Sequence, residues 1–183
     1  MKHLVVDAAT CLHWFLPRSN TRREADAARR ILTDVHRGRI SLVQPAVWAT
    51  MLVGDLITLK LPDAATAAEE ILAMNVRFDN GPATLRRAIE LAGRLNRPLL
   101  ETIHHATALQ NGICLVTADD AYFSHAAHLG NIVHLRDWRW GSHIAEPVAL
   151  YTVHPLVFAL ADATPRPTLS SRNARMRPPS ALS

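Results

Sequence analysis

Residues 113–120 constrain the fold of this chain most strongly, because an apolar run ends there in two adjacent acids. Four apolar residues follow Gly112 and predict a short strand that is buried on both faces of a parallel sheet. The strand continues into Thr117 and Ala118, and two adjacent acids follow, Asp119 and Asp120. Open parallel sheets carry their chemistry at the carboxyl ends of the strands, whereas Asp is also a preferred cap at the start of a helix. The stretch therefore predicts either a functional acid or a helix cap at this point.

The start of the chain repeats this pattern, because apolar residues 4–6 are followed at once by Asp7. Further apolar runs predict short strands at 40–44, 76–78 and 132–135. Segments with helical spacing or helix-end signals lie between them, at 11–16, 21–38, 46–59, 64–74, 82–96, 98–110 and 122–129. Strands that alternate with helices predict an α/β fold of three layers, in which a short parallel sheet has helices on both faces.

Two of these helices carry more specific expectations. Thr21 and Glu24 have the spacing of a capping box, which predicts that a helix begins at Thr21. The helix at 82–96 is amphipathic, and its inward face is predicted to consist of Leu85, Ile89, Leu91 and Ala92. The first expectation concerns the start of the helix at 21–38. The second concerns the face of the helix at 82–96 that packs against the core.

The alternating pattern ends near Trp138, which divides the chain into residues 1–138 and 139–183. The first part is long enough to bury one hydrophobic core, so a single α/β domain is expected there. The second part is irregular, and residues 164–183 hold four Pro, four Ser and four Arg, a composition that predicts a disordered tail. The tail carries +3 of the formal net charge of +4, so the charge gives little support to a nucleic-acid surface on the domain.

Cysteine usage and hydropathy indicate a cellular compartment. Cys11 and Cys114 are the two cysteines, and the apolar setting of each predicts a reduced core thiol. No apolar run reaches the roughly 18 residues of a membrane span, and the N-terminus lacks the pattern of a signal peptide. A cytoplasmic protein without a membrane segment is therefore expected.

Three acids occupy comparable places in the predicted sheet. Asp7 follows the first strand, Asp119 follows the fourth, and Glu101 lies in the first turn of the helix that leads into the fourth. Carboxylates that converge on one sheet edge repel each other and stay ionised together when a cation lies between them. Oxygen ligands of this kind suit Mg²⁺ or Mn²⁺, ions that promote phosphodiester hydrolysis. Taken alone, three acids in the sequence are a weak signal and are more typical of a solvated surface.

Short motifs give the acids a family context. The motifs are V-V-D-A at 5–8, W-F-L-P at 14–17 and L-V-T-A-D at 115–119. In this order and at these separations the chain resembles a PIN domain, and it is most similar to the VapC-type toxins of bacterial toxin–antitoxin pairs. The resemblance covers residues 1–138. It implies an α/β fold, Mg²⁺ or Mn²⁺ bound by acids, endoribonuclease activity, a homodimer and a small antitoxin that holds the toxin inactive.

The resemblance assigns roles to particular residues. Asp7 matches the first acid of the family and Asp119 the last, while Glu101 stands at the third position, where the family usually has Asp. These three are the predicted catalytic residues. The metal ligands predicted from the resemblance are the same three acids together with Asp120.

The second acidic position departs from the family pattern. At the start of the helix after the second strand the chain reads P-A-V-W-A-T-M-L-V-G, which places Met51 at the usual Glu and Gly54 at the usual Asn. A thioether is a poor ligand for Mg²⁺, and Asp55 lies one helical turn too far along to replace the acid easily. Two interpretations stay open: a nuclease that works with the remaining acids, or a catalytically inactive module that binds a partner protein or RNA.

Several polar residues near these acids have two interpretations each. Thr10 and Thr117 suit either the ends of secondary-structure elements or hydrogen bonds at a metal site. His104, three residues after Glu101, is expected to lie beside the site. His125 and His128 have the i, i+3 spacing of a ligand pair, but no third ligand has the spacing of a zinc site, which favours ordinary surface histidines.

Overall fold

A sheet of five parallel strands runs through the centre of the structure, a computed structural model that describes residues 2–16, 22–61 and 63–139. The strands are β1 (Lys2–Val6), β2 (Ile40–Pro45), β3 (Val76–Asp79), β4 (Cys114–Thr117) and β5 (Ile132–His134). Their order across the sheet is β3-β2-β1-β4-β5, and every neighbouring pair is parallel. Parallel neighbours need long crossover connections, and helices supply them here.

Seven α-helices connect the strands in the described part of the chain. They are α1 (Ala8–Phe15), α2 (Arg22–His36), α3 (Trp48–Thr58), α4 (Ala64–Ala73), α5 (Pro82–Leu95), α6 (Leu99–Asn111) and α7 (Asp120–Ala126). Two short 3₁₀ turns, Ala127–Leu129 and Leu135–Asp137, flank β5. The prediction of an α/β fold with a parallel sheet between helices is confirmed.

Side chains of the central strands alternate between two apolar layers, as the pleat of a strand requires. Leu4, Val6 and Val116 belong to the large core that α1 to α4 cover. Val5 and Leu115 belong to a smaller core on the opposite face, which α6 and α7 cover. Residues 4–6 of β1 and 115–116 of β4 are therefore buried on both faces of the sheet, which explains why these stretches are continuous apolar runs.

The strand order reverses between β1 and β4, because the chain fills the sheet in one direction from β1 to β3 and in the other from β4 to β5. At such a reversal the connections leave on opposite sides and open a crevice beyond the carboxyl ends of the two strands. Asp7 follows β1 and Asp119 follows β4. The topology therefore brings these two acids to the place where parallel sheets bind ligands.

The inward face of α5 differs from the prediction. Leu91 is buried and Ala92 is half-buried, but Leu85 and Ile89 are 47% and 55% exposed. The helix instead buries Ala88 in a cluster formed with α6. A small side chain at the contact lets two helices approach closely, so the packing of α5 against α6 decided the orientation. The prediction for Leu85 and Ile89 was wrong.

Two predictions concern residues outside the described ranges. Thr21 of the capping box lies outside them, and α2 is described from Arg22 onward. The tail beyond residue 139 also lies outside them, so its disorder stays a prediction. Trp138, close to the predicted end of the domain, is buried in the large core.

The cysteines behave as core thiols. Cys11 and Cys114 are both free, and burial raises the pKa of Cys11 and raises that of Cys114 to about 12. Both side chains are therefore neutral thiols at pH 7. None of the described helices combines the length and apolar character that crossing a membrane requires.

A hydrogen-bonded cluster around Asp79 joins the end of β3 to α5 and α6. The carboxylate accepts hydrogen bonds from the Gly81 N–H (3.0 Å), the Thr84 hydroxyl (2.8 Å) and the Asn111 amide (2.7 Å). Burial acts to raise the pKa of Asp79, but these bonds and the charge of Arg77 outweigh it and lower the pKa. The ionised side chain therefore stabilises the folded state.

We expect Asp79→Ala to lower the free energy of unfolding by about 1–3 kcal/mol at pH 7, because three donors lose their acceptor. Asp63→Ala is the matched control, since Asp63 occupies the N-cap position of α4 but its side chain makes no capping hydrogen bond. The pKa of Asp79 is below 3.8 in the folded state, so its contribution is present above pH 3.8 and is lost as pH falls through the folded pKa. Urea unfolding at several pH values should show the free energies of unfolding of the two variants becoming equal as the pH falls below 3.8. A difference in free energy that does not change with pH would contradict this role of Asp79.

Candidate functional site

A cleft of about 160 Å³ lies at the reversal of the strand order. Its wall is formed by the acids Asp7, Glu101 and Asp119 and by Ala8, Ala9, Met51, Leu100, His104, Leu115 and Tyr122. These residues come from the ends of β1 and β4 and from α1, α3, α6 and α7. The three acids predicted as catalytic thus line one cleft, although they are far apart in the sequence.

Asp7 is held at both of its carboxylate oxygens. Its Oδ1 accepts a hydrogen bond of 2.7 Å from the Thr10 N–H, which makes Asp7 the N-cap of α1. Its Oδ2 accepts a hydrogen bond from the hydroxyl of Thr117 at the end of β4. The Thr10 hydroxyl in turn donates to the carbonyl of Val116 (3.1 Å), which fixes the start of α1 against β4. The position of Asp7 is therefore set by contacts across two strands.

Asp119 is both a helix cap and a wall of the cleft. Its Oδ1 accepts a hydrogen bond of 2.9 Å from the Tyr122 N–H and caps α7. Its own N–H donates to the Thr117 hydroxyl oxygen at 3.0 Å. Because the Thr117 hydroxyl also donates to Asp7, a single buried side chain links the two acids. The helix-cap interpretation is correct for Asp119, and it does not compete with the functional one.

Glu101 enters the cleft from the first turn of α6, and it is paired with Arg97. The Arg97 Nε and Nη2 atoms both approach Glu101 Oε2 at 2.7 Å. The two side chains are 25% and 34% exposed, so solvent screens the pair. Glu101 is thus held at the rim of the cleft by a neighbouring cation.

Asp120 lies outside the cleft. Its carboxylate contacts Arg136 and lies 3.2 Å from His134 Nε2, and its side chain is 72% exposed. Asp119 is the extended cap residue and Asp120 the first residue of α7, so the two side chains leave the backbone in different directions. The geometry therefore gives no support to Asp120 as a metal ligand.

The position at which the resemblance implies a second acid places a thioether in the wall. Met51 is half-buried and lines the cleft, so the chain does bring this position to the three acids. Gly54 and Asp55 are exposed and are not part of the wall. The extra helical turn thus keeps Asp55 from replacing the acid. The cleft therefore has three carboxylates and the apolar side chain of Met51 in its wall.

The sequence reading missed Tyr122, which the structure places in the same wall. Its hydroxyl lies 3.2 Å from His105 Nδ1, and His105 Nε2 lies 2.8 Å from the carbonyl of Gly130. A carbonyl only accepts, so Nε2 carries the proton and Nδ1 accepts from Tyr122. Burial, together with the charges of the three cleft acids, raises the pKa of Tyr122. The phenol is therefore neutral, with an oxygen lone pair left available.

His104 is the second buried polar group in the wall. It is 2% exposed, and burial lowers its pKa, while the charge of Asp7 and a hydrogen bond to the carbonyl of Leu100 oppose that shift. Its Nε2 has no hydrogen-bond partner in the described part of the chain. A buried polar atom without a partner is uncommon in a native fold, so this nitrogen has room for a partner such as a water molecule or a ligand.

The donor set of the cleft matches a divalent cation in its chemistry. Three carboxylates and an imidazole nitrogen are suitable ligands. Across residues 2–16, 22–61 and 63–139, however, no three His, Cys, Asp or Glu side chains already stand together as a metal centre. Glu101 is turned to Arg97, so we expect this side chain to rotate inward when an ion binds.

We expect Arg97→Gln to raise the affinity for Mn²⁺ about 1.5- to 5-fold, since an exposed ion pair of about 0.2–1 kcal/mol no longer competes for Glu101. Calorimetric titration with Mn²⁺ measures the effect. Arg94→Gln, a change at the exposed end of α5, is the matched control and should leave the affinity unchanged. Weaker binding by Arg97→Gln would mean that the ion pair supports the site instead of opposing it.

Among the residues that the structure describes, the remaining polar candidates do not form a second site. His125 and His128 are exposed on and after α7. A larger depression of about 520 Å³ lies near the start of β2, with His36 and Glu70 among its lining residues. It lies at the amino-terminal edge of the sheet, where no strand end delivers a second acid to it.

Comparison with known proteins leaves the chain without an assigned family. No protein-family model matches it, and no curated protein matches its sequence. The interpretation of the cleft therefore depends on its own geometry and on the motifs in the sequence.

Proposed function

We propose that this protein is a metal-dependent endoribonuclease that hydrolyses RNA phosphodiester bonds with Asp7, Glu101 and Asp119 as its catalytic acids. The observation that carries the proposal is the convergence of these three carboxylates on one cleft at the strand-order reversal. Metal-dependent phosphodiester hydrolysis uses a cation that clustered carboxylates can hold. The motif resemblance to the PIN domains of VapC-type toxins names the same residues.

Each acid has a distinct part in this proposal. Asp7 and Asp119 would hold a Mg²⁺ or Mn²⁺ ion from two rigid strand ends, and Glu101 would complete the set from α6. When bound, such an ion supplies a Lewis acid for the phosphate oxygens and lowers the pKa of a water nucleophile. The Thr117 hydroxyl, which contacts both Asp7 and the backbone of Asp119, keeps the two strand-end acids in register. The Tyr122 hydroxyl lies in the wall as a neutral polar group.

The resemblance also supplies the biological setting of the proposal. It implies an RNA substrate, a small antitoxin-like protein as inhibitor, a homodimer and a cytoplasmic location. The free, neutral cysteines are compatible with a reducing compartment.

A second candidate function is a catalytically inactive module that binds a partner protein or RNA. Met51 in the wall of the cleft and the pairing of Glu101 with Arg97 favour it. Both features lower the number of carboxylates that face an incoming ion. In this alternative the protein keeps the fold, but the cleft does not catalyse RNA hydrolysis.

Cleavage of labelled single-stranded and structured RNA, with the full chain in Mn²⁺, in Mg²⁺ and in a chelator, separates the two functions. The nuclease proposal expects cleavage with at least one of the two ions and none in the chelator. Folded protein that cleaves no RNA with either ion would exclude the nuclease and favour the inactive module.

A further inference from the structure

His104 lines the cleft, and one of its ring nitrogens has no hydrogen-bond partner among the described residues. The ring lies one helical turn after Glu101 on α6 and shares the wall with Asp7 and Asp119. The side chain is 2% exposed, and Nε2 is buried without a hydrogen-bond partner among the described residues. A buried nitrogen of this kind costs less free energy when a bound group interacts with it directly.

The other ring nitrogen shows which form of the imidazole is present. The backbone carbonyl of Leu100, one helical turn earlier on α6, raises the pKa of His104 as a hydrogen-bond acceptor. Because Nε2 has no partner, this bond uses Nδ1, and because a carbonyl only accepts, Nδ1 carries the proton. Nε2 therefore presents a bare lone pair. A histidine that binds a metal through one nitrogen commonly donates the other N–H to a carbonyl, which fixes the ring in this orientation.

The surrounding charge selects the kind of group that the lone pair receives. Asp7, Glu101 and Asp119 line the same cleft, and a cation there relieves the repulsion among them. Met51 occupies the wall without offering an oxygen. A metal ion held by the three acids would thus lack one carboxylate, and His104 supplies a nitrogen donor in the same wall.

We infer that His104 Nε2 is a ligand of the metal site, which is therefore a mixed nitrogen and oxygen site that prefers a transition-metal ion such as Mn²⁺ over Mg²⁺. The inference rests on the proposed function, because it assigns a further ligand to the same site. Mg²⁺ is bound through oxygen and keeps several waters, whereas first-row transition-metal ions accept imidazole readily. The nitrogen compensates in part for the acid that Met51 replaces.

Pulsed electron paramagnetic resonance on the Mn²⁺-loaded full chain detects the ligand directly. We expect ¹⁴N modulation from a coordinated imidazole in the wild-type protein. The signal should be lost in His104→Leu, which has a similar volume and leaves no buried polar atom. His36→Leu, at the opposite edge of the sheet, should retain it.

Calorimetric titration with Mn²⁺ and with Mg²⁺ measures the selectivity. In His104→Leu the Mn²⁺ affinity should fall at least about tenfold, while the Mg²⁺ affinity stays within about twofold, because Mg²⁺ is bound through oxygen and Mn²⁺ accepts an imidazole ligand more readily. Equal losses for both ions would overturn the inference. If the variant does not fold, the presence or absence of ¹⁴N modulation in the wild-type spectrum tests the inference.

The outcomes for the inference and for the proposed function are distinct. Mn²⁺ binding without ¹⁴N modulation would overturn the role of His104 and leave the three-acid site in place. Folded wild-type protein that binds neither ion would overturn both. Mn²⁺ binding with ¹⁴N modulation that disappears in His104→Leu would support both.

Discussion

We expect Asp7→Asn to reduce metal-dependent RNA cleavage by at least about 10²–10³-fold, since it removes a charge at the point where the transition state is stabilised. Asp7 is the acid whose position is most fully determined, because one oxygen caps α1 and the other accepts from Thr117. Asn is as good a helix cap as Asp, so the variant should fold. The measurement is the rate of RNA cleavage in saturating Mn²⁺.

Asp120→Asn is the matched control for this experiment. It makes the same chemical change one residue from Asp119, but on a side chain that faces Arg136 and solvent. We expect its cleavage rate to stay within about twofold of the wild type, as is usual for a surface change away from the site. Full activity in Asp7→Asn would mean that the cleft is not the catalytic centre, and a large loss in Asp120→Asn would return that acid to the site.

Met51→Glu is expected to raise the Mn²⁺ affinity about tenfold or more, because carboxylate sites bind more tightly as the number of ligand charges increases. Met51 already lines the cleft, so the new carboxylate starts from the right backbone position. Without metal, four carboxylates repel each other. In a chelator the variant should therefore melt at a lower temperature than the wild type. Added Mn²⁺ should raise its melting temperature more than it raises that of the wild type.

Thr50→Glu is the matched control for this gain, since it adds the same charge on the exposed side of α3. It should leave the Mn²⁺ affinity close to that of the wild type. Thermal melts with and without Mn²⁺, together with calorimetry, distinguish the two variants. An unchanged or weaker affinity in Met51→Glu would show that this wall of the cleft does not reach a bound ion.

The core strands and the meeting of Asp7 with Asp119 were predictable from the sequence alone. A strand that is buried on both faces has a continuous apolar sequence. The carboxyl ends of parallel strands lie at one edge of their sheet. Asp7 and Asp119 each follow such a run, so no long-range information was needed to expect them near each other.

The orientation of α5 was not predictable in the same way. Its sequence has two apolar stripes, one with Leu85 and Ile89 and another with Ala88 and Leu91. Helical periodicity identifies both, but it does not say which one a neighbouring helix covers. The close packing of α6 selected the stripe with the smaller residue.

Within the site, the sequence by itself determined which acids are brought to the cleft, because their places at strand ends and in a first helical turn follow from local pattern and motif. Only the tertiary structure decided what each side chain touches. Thr117 joins Asp7 to Asp119, Arg97 holds Glu101 at the rim, and Asp120 turns to Arg136. Such contacts depend on side-chain direction and on residues distant in sequence, which a pattern along the chain does not encode.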